Sequence, residues 1–399
     1  MRKLFAILLL LSVCLTGIRW TRYVDEERMA VLTLGKPVCD YRYFIANCIR
    51  EETPYDPVAI WPRDACYPPI AYLLVKWFPL TERGETSYVW ALFLGLFAGW
   101  ALLVKEKVGT ERIWELLPIL GTGFFLAGPL RGNPAAWAAG LVFVFLAWYD
   151  SEVKWKRLVA ALALGFSAAL KIAPALFGLV YLRGRLARPR EWPVRAIFVA
   201  SLSFLVLLIV PFRFFGGGNA LVPWFFNALE NAGHYSRVST VGFVELFNHR
   251  FLENNLLPLS VSLLMTKSWV VLALIAVLAT VNRYRHILLL GSVMLLLGHH
   301  EYAYVYLLPA FMLWFIGVGT SNRPFFDRLE CICWFVVLCP LPYTFSALVT
   351  LSHEMLRAFA ALVLAGVSIG ISTNVFLRRI RQCNYTSVST VVSCEDESA

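Results

Sequence analysis

Long apolar runs are the feature of this sequence that most constrains its fold. The chain has 399 residues, of which 59% are hydrophobic and 16% are charged. Its apolar residues fall into runs of about 17 to 25, the length that crosses a bilayer. Inside hydrocarbon every backbone polar group must be satisfied within the protein, so such runs form helices. The sequence therefore predicts an all-α polytopic membrane protein.

About twelve membrane spans are predicted, which places both chain termini on the same side. More than half of the 36 Lys and Arg residues fall in the short loops of that side, so the positive-inside rule makes it cytoplasmic. We interpret the net charge of +10 as a sign of basic cytoplasmic loops rather than of nucleic-acid binding. The predicted spans are approximately residues 4–19, 86–104, 113–130, 134–150, 158–169, 172–182, 194–212, 256–281, 286–299, 302–319, 327–346 and 353–375.

Residues 1–375 are predicted to form a single membrane domain, followed by a disordered cytoplasmic tail at 376–399. The start, "MRKLFAILLLLSVCLTG", resembles a signal peptide, but no small-x-small cleavage site follows, so an uncleaved first span is favoured. Two long outer loops are expected at 20–85 and 213–255. In the first, "MAVLTLG" and "YRYFIANCI" are expected to be interfacial helices, and "YPPIAYLLVKWFPL" a half-span that enters the membrane and returns.

The segment from Leu158 to Leu182 is apolar, yet both of its ends carry cytoplasmic-type basic clusters. A single crossing contradicts the positive-inside rule, whereas a hairpin of two short helices that turns at "LKIAP", with Pro174 opening the second helix, satisfies it. Lys171 then lies at the hairpin tip, deep in the membrane and facing a cavity. It is either a cation for a lipid-linked phosphate or a lysine that snorkels to the surface or pairs with a carboxylate.

Asp40 is the candidate catalytic base of the first outer loop. It lies beside Tyr41 and Tyr43, and partial desolvation on an aromatic surface raises a carboxylate pKa and makes it a better proton acceptor at neutral pH. The alternative is an ordinary loop carboxylate that caps a following helix. Asp56 and Asp64 either bind a metal or hold turns, and one disulfide among Cys39, Cys48 and Cys66 is possible without an assigned pairing.

Three further motifs supply candidate substrate contacts. "RGNP" predicts a tight outer turn in which Asn133 caps the next helix and Arg131 adds charge for phosphate. "GHHEYAYVYLLP" places His299 and His300 at the outer end of a span, but without the i, i+4 spacing of a helix-borne zinc site. In the second outer loop, "FRFFGGGNALVPWFF" predicts a glycine-hinged lid or a static interfacial helix.

The ordered motifs resemble glycosyltransferase family 87, within the GT-C superfamily. The resemblance is carried by "CDYRYF", "PYDP" and "YPPIAYLL", then by "GNPAAWAAG" and "LGFSAALKIAPALFG", over roughly residues 38–190. It implies a GT-C-like bundle and an inverting hexosyltransferase that uses a polyprenyl-phosphate sugar, with mannose as the commonest sugar. Asp40 matches the family's aspartate base and Lys171 its hairpin lysine. "CDYRY" lacks a paired Asp-x-Asp, so a divalent metal is possible but not indicated, and the sequence assigns no other cofactor.

These expectations define a function and an alternative. The function is sugar transfer from the polyprenyl-phosphate donor to a lipid or glycan acceptor on the non-cytoplasmic face of a prokaryotic cell membrane. The donor is expected to contact Lys171, Arg131, His299, His300, Tyr43, Tyr67 and Asn133. The alternative is a transporter or flippase of a lipid-linked sugar, which also needs cationic residues at depth. Such transporters often carry internal repeats, and none is found in this sequence.

Overall fold

A computed structural model describes residues 2–23, 41–42, 67–79, 81–182, 194–226, 228, 282–298, 301–317, 324–340, 356–357, 359–374 and 378. These residues are helical or in short turns, and none of them is in a strand. Eleven of the helices are numbered in chain order. They are α1 Arg2–Tyr23, α2 Pro69–Val75, α3 Glu82–Lys107, α4 Gly123–Arg131, α5 Ala135–Trp148, α6 Lys154–Leu170, α7 Val194–Ile209, α8 Arg283–Gly298, α9 Leu308–Gly317, α10 Pro324–Leu338 and α11 Phe359–Asn374.

Shorter helical segments connect several of these helices. Ile113–Leu116 is a single α-turn, and 3₁₀ segments occupy Thr110–Arg112, Leu117–Gly121, Ala173–Leu182, Val210–Phe214 and Glu301–Leu307. Within the described part of the chain, two helical stretches are long and apolar enough to cross a membrane, Glu82–Lys107 and Val194–Phe214. The described part is all-helical, as expected, and the count of twelve spans stays a prediction. The predicted span 256–281 lies outside the described residues.

The predicted span 113–130 is not one continuous helix. A 3₁₀ segment at Leu117–Gly121 and an extended residue, Thr122, separate the α-turn before it from α4. Pro118 at the start of the 3₁₀ segment has no N–H to continue an α-helix. The Thr122 hydroxyl donates to the carbonyl oxygen of Ile119 at 2.7 Å, which closes the turn. The span at 113–130 stays a prediction, but the sequence did not reveal this interruption, because apolar periodicity does not register a proline break.

Helices α3, α5, α6 and α7 pack side by side and form the part of the core that positions the site. α3 and α5 run parallel, since Trp137 of α5 donates from Nε1 to the carbonyl of Ala91 and, toward the other end, Lys107 pairs with Asp150. α5 and α6 run antiparallel, with Ser167 Oγ donating to the Ala138 carbonyl at 2.7 Å. Because of these directions, α3 and α5 begin at the end of the bundle where α6 finishes.

Charged side chains gather at the opposite end of these helices, which we call the basic end. It is defined by Lys107, Asp150, Lys156, Glu106 and Arg283. Lys107 Nζ lies 2.6 Å and Arg283 Nη1 3.0 Å from the Asp150 carboxylate, and Lys156 Nζ lies 2.8 Å from Glu106. Basic residues from three predicted loops of one side therefore meet at one end of the bundle. We call the other end, where α5 starts and α6 finishes, the Asn133 end.

Candidate functional site

The turn between α4 and α5 has the capping geometry that the sequence predicted. Gly132 ends α4 with φ 72°, a left-handed conformation that favours glycine. The N–H of Asn133 returns to the Gly128 carbonyl at 3.0 Å. Asn133 Oδ1 then accepts the N–H of Ala135 at 2.8 Å, which caps α5. Arg131, the last residue of α4, is buried just before this turn.

Asn133 also binds Tyr67, a residue 66 positions earlier in the chain. Its Nδ2 lies 2.9 Å from the Tyr67 hydroxyl oxygen. Because Oδ1 is held by the cap, the amide orientation is fixed, and the Tyr67 oxygen must act as the acceptor. A tyrosine hydroxyl that accepts can still donate its own proton, for example to a phosphate or sugar oxygen. The structure thus brings together two of the residues that the sequence assigned to substrate binding.

The segment that carries Tyr67 is anchored on the same end of the bundle. α2 begins two residues later and is only 7 residues long, or about 10 Å, too short to cross a bilayer. Ile70 and Ala71 of α2 pack in one cluster with Ala138 of α5 and Leu170 of α6. This is consistent with the predicted half-span, and it places Tyr67 between the start of α5 and the end of α6.

Lys171 lies at the break that ends α6. Leu170 is the last helical residue, and Lys171 is extended, with φ −156° and ψ 117°. A 3₁₀ segment follows from Ala173 and packs back against α6, so the chain reverses as the hairpin prediction required. The break comes three residues before Pro174. Its position agrees with the restriction that a proline ring imposes on the residues before it.

The hydrogen bond between Ser167 and Ala138 sets the register of Lys171. Lys171 follows Ser167 by four residues, and Pro134 precedes Ala138 by four. In antiparallel helices both positions lie about 6 Å beyond that bond, toward the same end. Lys171 is therefore level with the α4–α5 turn, and it is partly buried. The sequence predicted the turn and the hairpin, but it gave no signal for Ser167, the residue that aligns them.

Asp40, Tyr43, His299 and His300 lie outside the described residues. The two residues after Asp40 are described, and both contact the start of α3. The Tyr41 ring is buried with its centroid 4.8 Å from that of Tyr88, and its hydroxyl donates to the Pro79 carbonyl at 3.5 Å. Burial, aided by the charge of Glu85, raises the pKa of Tyr41, so the hydroxyl stays protonated at neutral pH.

The contacts of Tyr41 lead directly to the α5 helix. Tyr88 also packs edge-on against Trp137 at 5.4 Å, and Phe78 contacts both rings at 5.2 and 6.4 Å. Trp137 is one helical turn after Asn133. Tyr41, Phe78, Tyr88 and Trp137 therefore form one aromatic block at the Asn133 end. Aromatic content was visible in the sequence, but three of these four pairings join residues more than 40 positions apart, and no local pattern predicts them.

A comparison with protein-family models matches residues 65–299 to glycosyltransferase family 87. The match covers more than half of the chain. The chain belongs to glycosyltransferase family 87. Membership makes it a glycosyltransferase, with a sugar donor and an acceptor as substrates. No curated protein and no solved structure matches it.

The region that matches the family contains the candidate donor-binding residues that the structure describes at the Asn133 end. The matched region includes Tyr67, Arg131, Asn133, Lys171 and His299, whereas it begins after the "CDYRYF" motif of the predicted first outer loop. The described residues hold no group of three His, Cys, Asp or Glu side chains arranged to bind a metal ion. The cationic and hydrogen-bonding residues at this end suit an anionic, phosphate-bearing donor, since ammonium, guanidinium and hydroxyl groups all donate to phosphate oxygens.

Proposed function

We propose that this protein is an inverting hexosyltransferase that takes its sugar, mannose by the family resemblance, from a polyprenyl phosphate and passes it to a lipid or glycan acceptor. The register of α5 and α6 carries the proposal. It brings Lys171, Asn133 and Tyr67 to one end of the bundle, away from the ion-paired basic end. The ammonium group of Lys171 at this end can donate to the oxygens of a donor phosphate.

The orientation in the membrane follows from the two ends. Basic residues are retained on the cytoplasmic side, so the basic end is proposed to be cytoplasmic. The Asn133 end then opens to the other side of the membrane, where the first outer loop emerges. The chain is proposed to be multi-pass, with both termini in the cytoplasm.

The proposed reaction is a single displacement. The Asp40 carboxylate takes the proton of the acceptor hydroxyl, and the oxygen attacks the anomeric carbon on the face opposite the phosphate. The bond between the anomeric carbon and the phosphate oxygen breaks, and polyprenyl phosphate leaves with the bonding electrons. Lys171 and Arg131 stabilise the negative charge that grows on the leaving phosphate, and Tyr67 donates a hydrogen bond to it. The configuration at the anomeric carbon is inverted.

Three further residues complete the proposed donor site. Tyr43 contacts the sugar, and His299 and His300 contact the phosphate or sugar from the end of α8. A divalent metal is not required by this scheme. Family membership favours transfer chemistry over the alternative of a flippase, because the family is defined by glycosyltransferase activity.

The first test is sugar transfer by purified protein in detergent, where a flippase has no second compartment to serve. We expect labelled hexose to move from polyprenyl phosphate to an acceptor with inversion. Replacement of Asp40 by Asn should lower the rate ~10²- to 10⁴-fold, the usual contribution of a general base. Asp56→Asn, in the same loop, is the matched control and should retain the wild-type rate. Full activity of Asp40→Asn would eliminate the assigned base.

A further inference from the structure

The two residues after Asp40 fasten the first outer loop to the start of α3. Arg42 Nε lies 2.9 and 3.0 Å from the two carboxylate oxygens of Glu85, and Nη2 makes a third contact with the same carboxylate. This is the bidentate arginine–carboxylate geometry, which fixes orientation as well as distance. Tyr41 adds its buried ring and its hydrogen bond to the Pro79 carbonyl.

The site of attachment is itself rigid. Thr81 Oγ1 accepts the N–H of Gly84 and caps α3, and Glu85 lies in the first helical turn. A Cβ on Gly84 would lie 1.8 Å from the Pro79 carbonyl oxygen, so the loop before α3 presses directly on the helix start. The aromatic block then connects this helix start to Trp137 on α5. A continuous set of contacts therefore runs from Arg42 to the helix that carries the Asn133 cap.

We propose that Arg42, Glu85 and Tyr41 are positioning residues for sugar transfer. The Arg42–Glu85 pair and the Tyr41 ring hold the backbone next to Asp40 at a fixed place relative to Tyr67 and Lys171. The inference rests on the proposed function of Asp40, but it concerns residues outside the proposed chemistry. Arg42 is half-exposed, with 52% of its side chain accessible, and exposed ion pairs contribute little to global stability. The pair therefore acts on the alignment of the loop rather than on folding.

Replacing the charge of Arg42 or of Glu85 distinguishes a role in loop alignment from a role in folding. In Arg42→Gln and in Glu85→Gln we expect kcat to fall ~10- to 100-fold, since a misplacement of about 1 Å at a reacting group costs up to about 10²-fold. The donor KM should stay near the wild-type value, because the donor contacts are unchanged. The double variant should lose no more than either single variant, as residues that act through one contact are not additive. Arg83→Gln, exposed in the same helical turn, is the matched control and should keep the wild-type kcat.

Three results would overturn the positioning role. These are wild-type kcat in both single variants, multiplicative losses in the double variant, or a kcat loss that follows an equal loss of thermal stability. If Arg42→Gln and Glu85→Gln do not insert into the membrane, Arg42→Lys takes their place. Lysine keeps the charge but not the bidentate geometry, so this variant should show the same kcat loss. Asp40→Asn is assayed in parallel. Its full activity contradicts the proposed base, whereas an inactive Asp40→Asn beside unaffected Arg42 and Glu85 variants contradicts the positioning role alone.

Discussion

Asn133 joins two elements through the two ends of one amide. Its oxygen caps α5 through Ala135, and its nitrogen donates to Tyr67 on the segment that leads into α2. Each function uses a different atom, so substitutions can remove them separately. The sequence predicted the cap from the "GNP" turn, which is a local pattern. It did not predict the bond to Tyr67, because a contact across 66 residues leaves no periodic signal.

Comparison of Asn133→Ala with Asn133→Asp tests these two functions. Alanine removes the cap, which should lower the free energy of unfolding by about 0.5 to 2 kcal/mol. Aspartate keeps an oxygen for the Ala135 N–H and so retains the cap, and any loss of stability then comes from burying a carboxylate at this fully buried position. Aspartate loses the Nδ2 donor and adds a negative charge near the proposed donor phosphate, so the donor KM should rise. Thermal unfolding in detergent and transfer kinetics measure both effects. An unchanged donor KM in Asn133→Asp would show that the contact with Tyr67 has no part in donor binding.

Close packing of α3 on α5 is the clearest feature at the scale of the elements. A Cβ on Gly99 would lie 2.2 Å from the Gly140 carbonyl oxygen, and one on Gly95 would lie 2.6 Å from the Trp137 ring. Gly95 and Gly99 have the small-xxx-small spacing that allows membrane helices to approach closely. This approach brings Trp137 to the Ala91 carbonyl at 2.9 Å, and it therefore fixes the aromatic block at the Asn133 end.

Gly99→Ala should destabilise the protein by about 1 to 3 kcal/mol, because the added methyl group forces the two backbones apart. Gly17→Ala on α1 is the matched control, since a Cβ there meets nothing within 4 Å. Alanine is the better helix former by about 1 kcal/mol, so the control should be neutral or slightly stabilising. Thermal unfolding of the two variants in one detergent measures the difference. Equal melting temperatures would contradict the close contact between α3 and α5.

Two structural features that arise from a nearby proline or glycine could be predicted from the sequence, whereas contacts between distant residues could not. The hairpin break at Lys171 and the turn at Gly132 follow from proline and glycine, and both were predicted. The interruption at Leu117–Gly121 was not, because its apolar residues continue the run on either side of Pro118. The contact between Arg42 and Glu85 joins residues 43 positions apart. Neither residue carries a mark in the sequence that identifies its partner.

At the scale of the whole molecule, the two ends of the bundle carry different sets of residues. At the basic end Asp150 and Glu106 offset lysine and arginine side chains in ion pairs. α6 runs from one end to the other over 17 residues, so the two ends are separated by about 25 Å. Lys107, Lys156 and Arg283, three of the basic residues predicted for one membrane face, lie together at the basic end. Because the two ends are separate, we assign the basic end to the cytoplasmic face and the Asn133 end to donor binding and sugar transfer.

The two lysines that flank α6 test this assignment most directly. Lys154 begins the helix and is exposed at the basic end, whereas Lys171 follows its last residue at the Asn133 end. Each is replaced by Gln, and transfer from labelled polyprenyl-phosphate hexose is measured with purified, equally stable protein. We expect Lys171→Gln to lower kcat ~10²- to 10³-fold, as removal of a donor to a developing anion does, and Lys154→Gln to retain the wild-type rate. Equal rates in the two variants, or a larger loss in Lys154→Gln, would contradict the account.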